Sequence, residues 1–180
     1  PGLAGSAYAR LAGVAPEDGP PSIDLAREAS VQRFIRAAIG RGLVASAQDV
    51  SAGGLAVALA EGAIWGDLGA RVRLLVNGTP ATDLFGESPS RLILTAGHEH
   101  VADLLELARG ADLPAAEIGA VGGDRVVIEL GGRGAIGDAE GRGSVLSDAL
   151  DVTLADLRYA WEHGLVRALG EDSAMTGGMA

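Results

Sequence analysis

Residues 42–61, GLVASAQDVSAGGLAVALAE, decide the fold because they join an apolar strand pattern to an apolar helix pattern through a Gly-Gly turn. The pattern predicts a strand over 43–48, a turn over 49–55 and a helix that continues to about Trp65. Two glycines at a strand-to-helix junction leave backbone N–H groups uncovered at the positive end of the helix dipole, where a phosphate or a carboxylate can approach closely. Spacing alone favours a simpler interpretation, in which Asp49 or Ser51 caps the helix and Gly53 and Gly54 permit a tight turn.

Helical and strand patterns alternate on both sides of this stretch. They predict helices over 24–39, 99–109 and 154–169, one helical turn over 82–85, and strands over 70–76, 91–96, 115–121 and 125–130. The last two strands flank Gly122 and Gly123, so we expect them to form a hairpin. This order predicts an α/β (α+β) domain, a single mixed β-sheet covered by helices, with Trp65 and Trp161 in its core.

Three segments lie outside this regular pattern. Glycines and prolines interrupt residues 1–23, which we interpret as an N-terminal linker, so that the domain covers residues 24–170. The glycine-rich stretch 131–143 is expected to be mobile, and 171–180 to be a frayed tail.

Composition excludes several classes of function. Of the 180 residues, 48% are hydrophobic and 21% charged, which is typical of a soluble globular domain. There is no Cys, and all 14 basic residues are Arg, which excludes disulfides, thiolate metal sites, a Cys nucleophile and a Walker-type or Schiff-base lysine. The net charge of −10 disfavours nucleic acid as a partner. No apolar run is long enough for a membrane span and no leader is visible, so we expect a cytoplasmic protein, cut from a longer chain because it starts at Pro1.

A second polar motif precedes the strand over 91–96. Glu87 and Ser88 place a carboxylate and a hydroxyl side by side, a pair that can grip ligand hydroxyls or hold Mg²⁺ through water. The alternative is a solvated loop whose Phe85 fills the core. The three His residues lack a suitable third ligand, so no metal site is predicted. No nucleophile, base and orienting group assemble in the pattern, and no catalytic residue is therefore predicted.

Taken together, the segments over 2–8, 42–61, 84–91 and 118–123 resemble the synthetase subunit of the phosphoribosylformylglycinamidine synthase family, in the right order along the chain. The resemblance implies an AIR synthase-related C-terminal domain of the ATP-dependent ligase that converts formylglycinamide ribonucleotide to formylglycinamidine ribonucleotide in purine synthesis. ATP and Mg²⁺ would serve the full-length enzyme, whose catalytic His, Mg²⁺ carboxylates and ATP-binding residues belong upstream of Pro1. No cofactor is assigned to this piece itself.

The resemblance also implies partners and site residues. The partners would be the N-terminal domains of the same subunit, a separate glutaminase subunit and a small accessory subunit. The residues expected near a nucleotide or phosphate are Asp49, Ser51, Gly53, Gly54, Glu87 and Ser88. Gln48 and Ala52 depart from the His and the acidic residue that relatives often carry at these positions.

Two other hypotheses stay open at this point. One is a structural or docking domain that makes no ligand contacts. The other is the equivalent domain of a sister enzyme, aminoimidazole ribonucleotide synthase or selenophosphate synthase.

Overall fold

The computed structural model describes residues 2–13, 19, 21–76, 78–131 and 145–168. The tail expected over 171–180 and residues 132–143 of the stretch expected to be mobile lie outside the described residues. The division of the chain into a linker, a domain and a tail stays a prediction.

Six helices and six strands form the described part of the chain. The helices are α1 (Ala7–Ala12), α2 (Leu25–Gly40), α3 (Gly54–Gly66), α4 (Pro80–Phe85), α5 (Val101–Gly110) and α6 (Leu154–Ala168). The strands are β1 (Ser46–Asp49), β2 (Ala70–Leu75), β3 (Leu92–Thr95), β4 (Gly119–Val121), β5 (Arg125–Gly131) and β6 (Val145–Thr153). A 3₁₀ turn over His98–His100 leads into α5.

The strands form two sheets. A mixed sheet has the order β4-β2-β5-β6, in which β5 runs parallel to β2 and the other neighbours are antiparallel. The antiparallel pair β1-β3 forms a separate two-stranded sheet, with Ser46 opposite Thr95. The α/β class with a mixed sheet is therefore confirmed, but the strands form two sheets where a single sheet was predicted. The physical reason is that β3 and the residues just before β1, Leu43 and Val44, pack with α2 and α5 in a second, separate core.

The expected hairpin over 115–130 is wrong, because β2 lies between β4 and β5. Five of the seven residues of β5 are buried, and a strand buried to this extent needs a neighbour on each side. The connection crosses the start of β2, where the Gly69 N–H donates to the Gly123 carbonyl at 2.8 Å and the Gly122 N–H donates to the Gly69 carbonyl at 2.7 Å. Strand β6, the second neighbour of β5, was missed because it follows directly on the glycine-rich stretch.

The larger core lies on one face of the four-stranded sheet, where α3, α4 and α6 cover it. Its buried residues are Ala56, Leu59, Ala63, Val72, Leu74, Leu84, Val126, Ile128, Leu130 and Leu154. The opposite face carries an ion-pair cluster in which Glu129 accepts hydrogen bonds from Arg71 and Arg73. None of the helices in the described residues is long and apolar enough to cross a membrane.

The expectation that Trp65 and Trp161 are core residues is wrong. They are 65% and 54% exposed, and their rings meet edge to face with centroids 6.3 Å apart. The reason is helical spacing: α3 faces the sheet with Ala56, Leu59 and Ala63, and Trp65, two residues after Ala63, lies on the other side of the helix.

Candidate functional site

The turn between β1 and α3 requires glycine. Gly53 and Gly54 have φ values of +83° and +71°, in the left-handed region that side chains disfavour. A Cβ on Gly54 would lie 2.7 Å from the Leu84 carbonyl oxygen and from the Phe85 backbone, so the start of α3 packs directly on the last turn of α4. The Gly54 N–H donates to the Ser51 carbonyl at 3.0 Å. The turn is thus fixed by its own backbone and by α4.

The carboxylate of Glu87 lies at the start of α3. Its Oε1 accepts a hydrogen bond from the Gly53 N–H at 2.8 Å and another from the Ala7 N–H, at the start of α1, at 2.7 Å. Both donors are backbone amides at helix N-termini, where the dipole favours a negative charge. The anion at the predicted position is therefore a side chain of the protein itself.

Residues 2–8 pack against the same loop. The Tyr8 ring stacks on Phe85 with centroids 4.7 Å apart and planes 9° apart. Ser6 is 1% exposed and caps α1 by accepting from the Ala9 N–H at 3.1 Å. The contact of Ala7 with Glu87 was missed at the sequence level, because a backbone N–H carries no residue identity; the only signal was the capping serine before a short helical run.

The six predicted site residues lie on two adjoining segments that the Gly53–Glu87 hydrogen bond joins. Asp49 and Ser51 are exposed, Gly53 and Gly54 are buried, and Glu87 is half-buried. The hydroxyl oxygen of Ser88 is buried and has no hydrogen-bond partner among the described residues. The turn therefore has two exposed polar side chains, Asp49 and Ser51, and is held in place by its buried groups.

The loop between α4 and β3 is anchored by two further polar contacts. The Arg91 Nη1 donates to the Gly86 carbonyl at 3.1 Å, and burial lowers the pKa of Arg91 while the charge of Asp83 opposes this shift. The Ser90 hydroxyl donates to the Glu28 carboxylate of α2 at 2.6 Å, and this bond lowers the pKa of Glu28. The loop that carries Glu87 is thus held from both ends.

The sequence suggested that Glu87 and Ser88 could hold Mg²⁺ through water. No group of three or more His, Asp or Glu side chains that could hold a metal ion occurs within the described ranges. The Glu87 oxygen Oε1 already accepts hydrogen bonds from two amides, so the other carboxylate oxygen is the one that could face a metal-bound water.

Comparison with known proteins identifies the family. Residues 1–131 match the family model described as AIR synthase related protein, C-terminal domain. The chain belongs to this family. The match begins at the N-terminal residues that contact Glu87 and ends with β5.

Members of this family in larger proteins resemble the chain over most of its length. The chain is 36% identical over 171 residues to the phosphoribosylformylglycinamidine synthase subunit PurL of Anaeromyxobacter dehalogenans strain 2CP-C. The matched region covers 89% of this chain and 20% of that subunit. The chain is 45% identical over 114 residues to the same subunit of Moorella thermoacetica, which covers 63% of this chain and 16% of that subunit. The chain spans about one fifth of the length of the curated relatives it matches.

Solved structures show the same fold. A structure of PurLQS from Thermotoga maritima matches with a TM-score of 0.59 and 22% identity, and covers 85% of this chain and 24% of that one. A structure of T. maritima PurL complexed with ATP matches with a TM-score of 0.56 and 24% identity over 71% of this chain and 21% of that one.

Proposed function

We propose that the chain is the C-terminal domain of an ATP-dependent ligase, phosphoribosylformylglycinamidine synthase, which makes formylglycinamidine ribonucleotide from formylglycinamide ribonucleotide. The observation that carries this proposal is the 36% identity to PurL subunits across 89% of the chain. The sister enzymes of the superfamily share the fold, but the relatives given above are PurL subunits.

Within the ligase, we assign two different roles to five of the six residues expected near a nucleotide or phosphate. Gly53, Gly54 and Glu87 fix the turn, since the buried amide of Gly53 is already bonded to Glu87. Asp49 and Ser51 are exposed at the same turn, so they are the side chains able to reach a ligand held by a neighbouring domain. Ser88 adds a buried hydroxyl without a partner in the described part of the chain.

Cofactors and partners follow from this assignment as further proposals. A T. maritima PurL has been solved with ATP and with ADP, and we propose that the whole ligase uses ATP with Mg²⁺ in the cytoplasm. The Mg²⁺ carboxylates would lie in the N-terminal domains of the subunit, because the described residues here offer no such group. A separate glutaminase subunit would supply ammonia, and a small accessory subunit would also assemble with the ligase.

Domain replacement tests the proposal directly. The matching segment of the A. dehalogenans subunit is replaced by this chain, and ammonia-dependent formation of product is measured with ATP and Mg²⁺. We expect activity well above that of a variant from which the segment is deleted. A folded chimera with no more activity than the deletion variant would count against the ligase assignment.

The purified chain alone provides the second arm. With formylglycinamide ribonucleotide, ATP, Mg²⁺ and ammonia it is expected to give no turnover, because it contains no predicted catalytic residue. Turnover by the chain alone would show that reacting groups are present that we have not assigned.

Variants in the chimera distinguish a turn that contacts a ligand from a domain that only docks with its neighbours. Asp49→Ala and Ser51→Ala are expected to raise KM for ATP or substrate if the exposed turn contacts a ligand. Unchanged KM and kcat in both variants would favour a domain that only supports its neighbours.

A further inference from the structure

An apolar cavity of about 640 Å³ separates the β1-β3 sheet from the four-stranded sheet. Helices α2 and α5 and residues 113–121 line its sides, and it is partly open to solvent. Representative apolar lining residues are Val31, Leu55, Leu92, Leu105, Leu113 and Ile118.

The cavity leaves the strand that faces it incompletely packed. All four residues of β3 are only half-buried, although three of them are Leu or Ile. Protein interiors are packed as densely as organic crystals and contain few voids larger than a water molecule. A cavity of this size falls within the range of roughly 300–1,000 Å³ that is typical of small-molecule sites. Its lining is therefore suited to an apolar ligand.

One end of the cavity carries cationic side chains. Arg27 of α2 and Arg91 before β3 both line it, and the hydrogen bond from Ser90 to Glu28 brings these two segments together. The lining also contains one carboxylate, Glu117, on the segment before β4. Arg91 donates to the Gly86 carbonyl and forms no salt bridge with a described residue, although the charge of Asp83 lies near enough to act on it. The exposed Arg27 side chain has no hydrogen bond or ion pair with a described residue, while Glu28 next to it is engaged by Ser90.

We propose that this cavity binds an amphipathic anion, whose apolar chain or ring system fills the space and whose carboxylate or phosphate contacts Arg27 and Arg91. The protein carries a net charge of −10, so an anion needs local donors of this kind to overcome the overall field. Guanidinium groups suit this task because their planar donors match the oxygens of carboxylates and phosphates. The proposal does not depend on the ligase assignment.

Calorimetry with three probes tests the chemistry of the site. The probes are octanoate below its micelle concentration, 1-octanol as the uncharged body, and inorganic phosphate as the anion without a body. We expect octanoate to bind about tenfold more tightly than octanol, the gain of roughly one charge-assisted hydrogen bond, and phosphate not to bind measurably. Absent octanoate binding, or equal affinities for octanoate and octanol, would overturn the proposal.

Matched variants locate the site. Arg27→Gln is expected to weaken octanoate binding about five- to tenfold and to leave octanol unchanged. Arg36→Gln is the control, since Arg36 is an exposed residue of the same helix outside the cavity lining. Equal octanoate affinities in these two variants would refute the role of Arg27. Val31→Trp, one turn from Arg27, is expected to abolish binding of both octanoate and octanol by filling the space; full binding by a folded Val31→Trp variant would place the ligand elsewhere.

Discussion

Replacing Glu87 tests whether the start of α3 is held by the protein's own carboxylate. The Oε1 atom accepts from the amides of Gly53 and Ala7 at 2.8 and 2.7 Å, short distances for hydrogen bonds to a charged acceptor. In Glu87→Ala both amides lose this acceptor, and the Gly53 amide is buried. The variant therefore removes the tie between α1, α3 and the loop before β3.

The geometry sets the size of the effect. A hydrogen bond to a charged group contributes about 1.5–3 kcal/mol, and part of this is recovered when water reaches the half-buried site. We expect the free energy of unfolding to fall by about 3 kcal/mol in Glu87→Ala. Glu87→Gln keeps an oxygen acceptor but loses the charge, so its loss should be roughly half as large.

Urea unfolding followed by circular dichroism measures these losses. Hydrogen exchange locates them, because the Ala7 and Gly53 amides should exchange faster in Glu87→Ala while the core of β5 is affected only through global stability. Glu106→Ala is the control: Glu106 is exposed on α5 and forms no contact of this kind with described residues. A loss no larger than the control's, with both amides still protected, would refute the reasoning.

Three further predictions concern the remaining contacts. Gly54→Ala places a Cβ against the backbone of α4 at a positive φ and should lower the free energy of unfolding by more than about 2 kcal/mol. In the control Gly66→Ala the new Cβ meets open space, so the free energy of unfolding should change by less than about 1 kcal/mol. Parallel denaturation series of the two variants measure the difference. The pKa of Glu129 lies below its ordinary value of 4.5, chiefly because of hydrogen bonding to Arg73. The stabilising contribution of Glu129 is therefore present above pH 4.5 and is lost as pH falls through the lowered pKa. Arg73→Gln should raise this pKa in an NMR titration, and an unchanged pKa would exclude the hydrogen bond to Arg73 as its cause. Trp161→Ala removes an edge-to-face ring contact and should lower the unfolding free energy by about 1 kcal/mol and alter the fluorescence of the remaining tryptophan, and unaltered emission would show that the rings do not meet in solution.

The sequence predicted the helices better than the strand pairings. The helix over 24–39 was predicted from local spacing, and in the structure Asp24 caps its start by accepting from two amides. Strand pairing depends on partners distant in the chain. The glycines at 122 and 123 suggested a tight turn, but they pass over Gly69 and carry the chain to the other side of β2. Local sequence patterns do not indicate that a chain crosses a distant strand in this way.

The candidate site shows the same limit at atomic scale. The sequence predicted an anion at the Gly53–Gly54 turn and a carboxylate at Glu87, but as separate features. Each prediction named one partner of a single hydrogen bond, because residues 34 positions apart give no sign that they meet. The second donor, the amide of Ala7, belongs to a segment that the glycines and prolines before residue 23 marked as a linker.

The hydrogen bond between Gly53 and Glu87 affects whether this turn can bind an anion itself. A helix start that awaited a free phosphate would keep its amides open, whereas here the Gly53 amide is already satisfied by a carboxylate at 2.8 Å. A phosphate that bound to the same amide would have to displace Glu87 and meet its negative charge, which is unfavourable at short range. The turn is therefore better suited to presenting the exposed Asp49 and Ser51 from a rigid base than to holding an anion itself. If so, Glu87→Gln should cost stability without improving phosphate binding, and tighter phosphate binding in that variant would restore the helix start as the anion site.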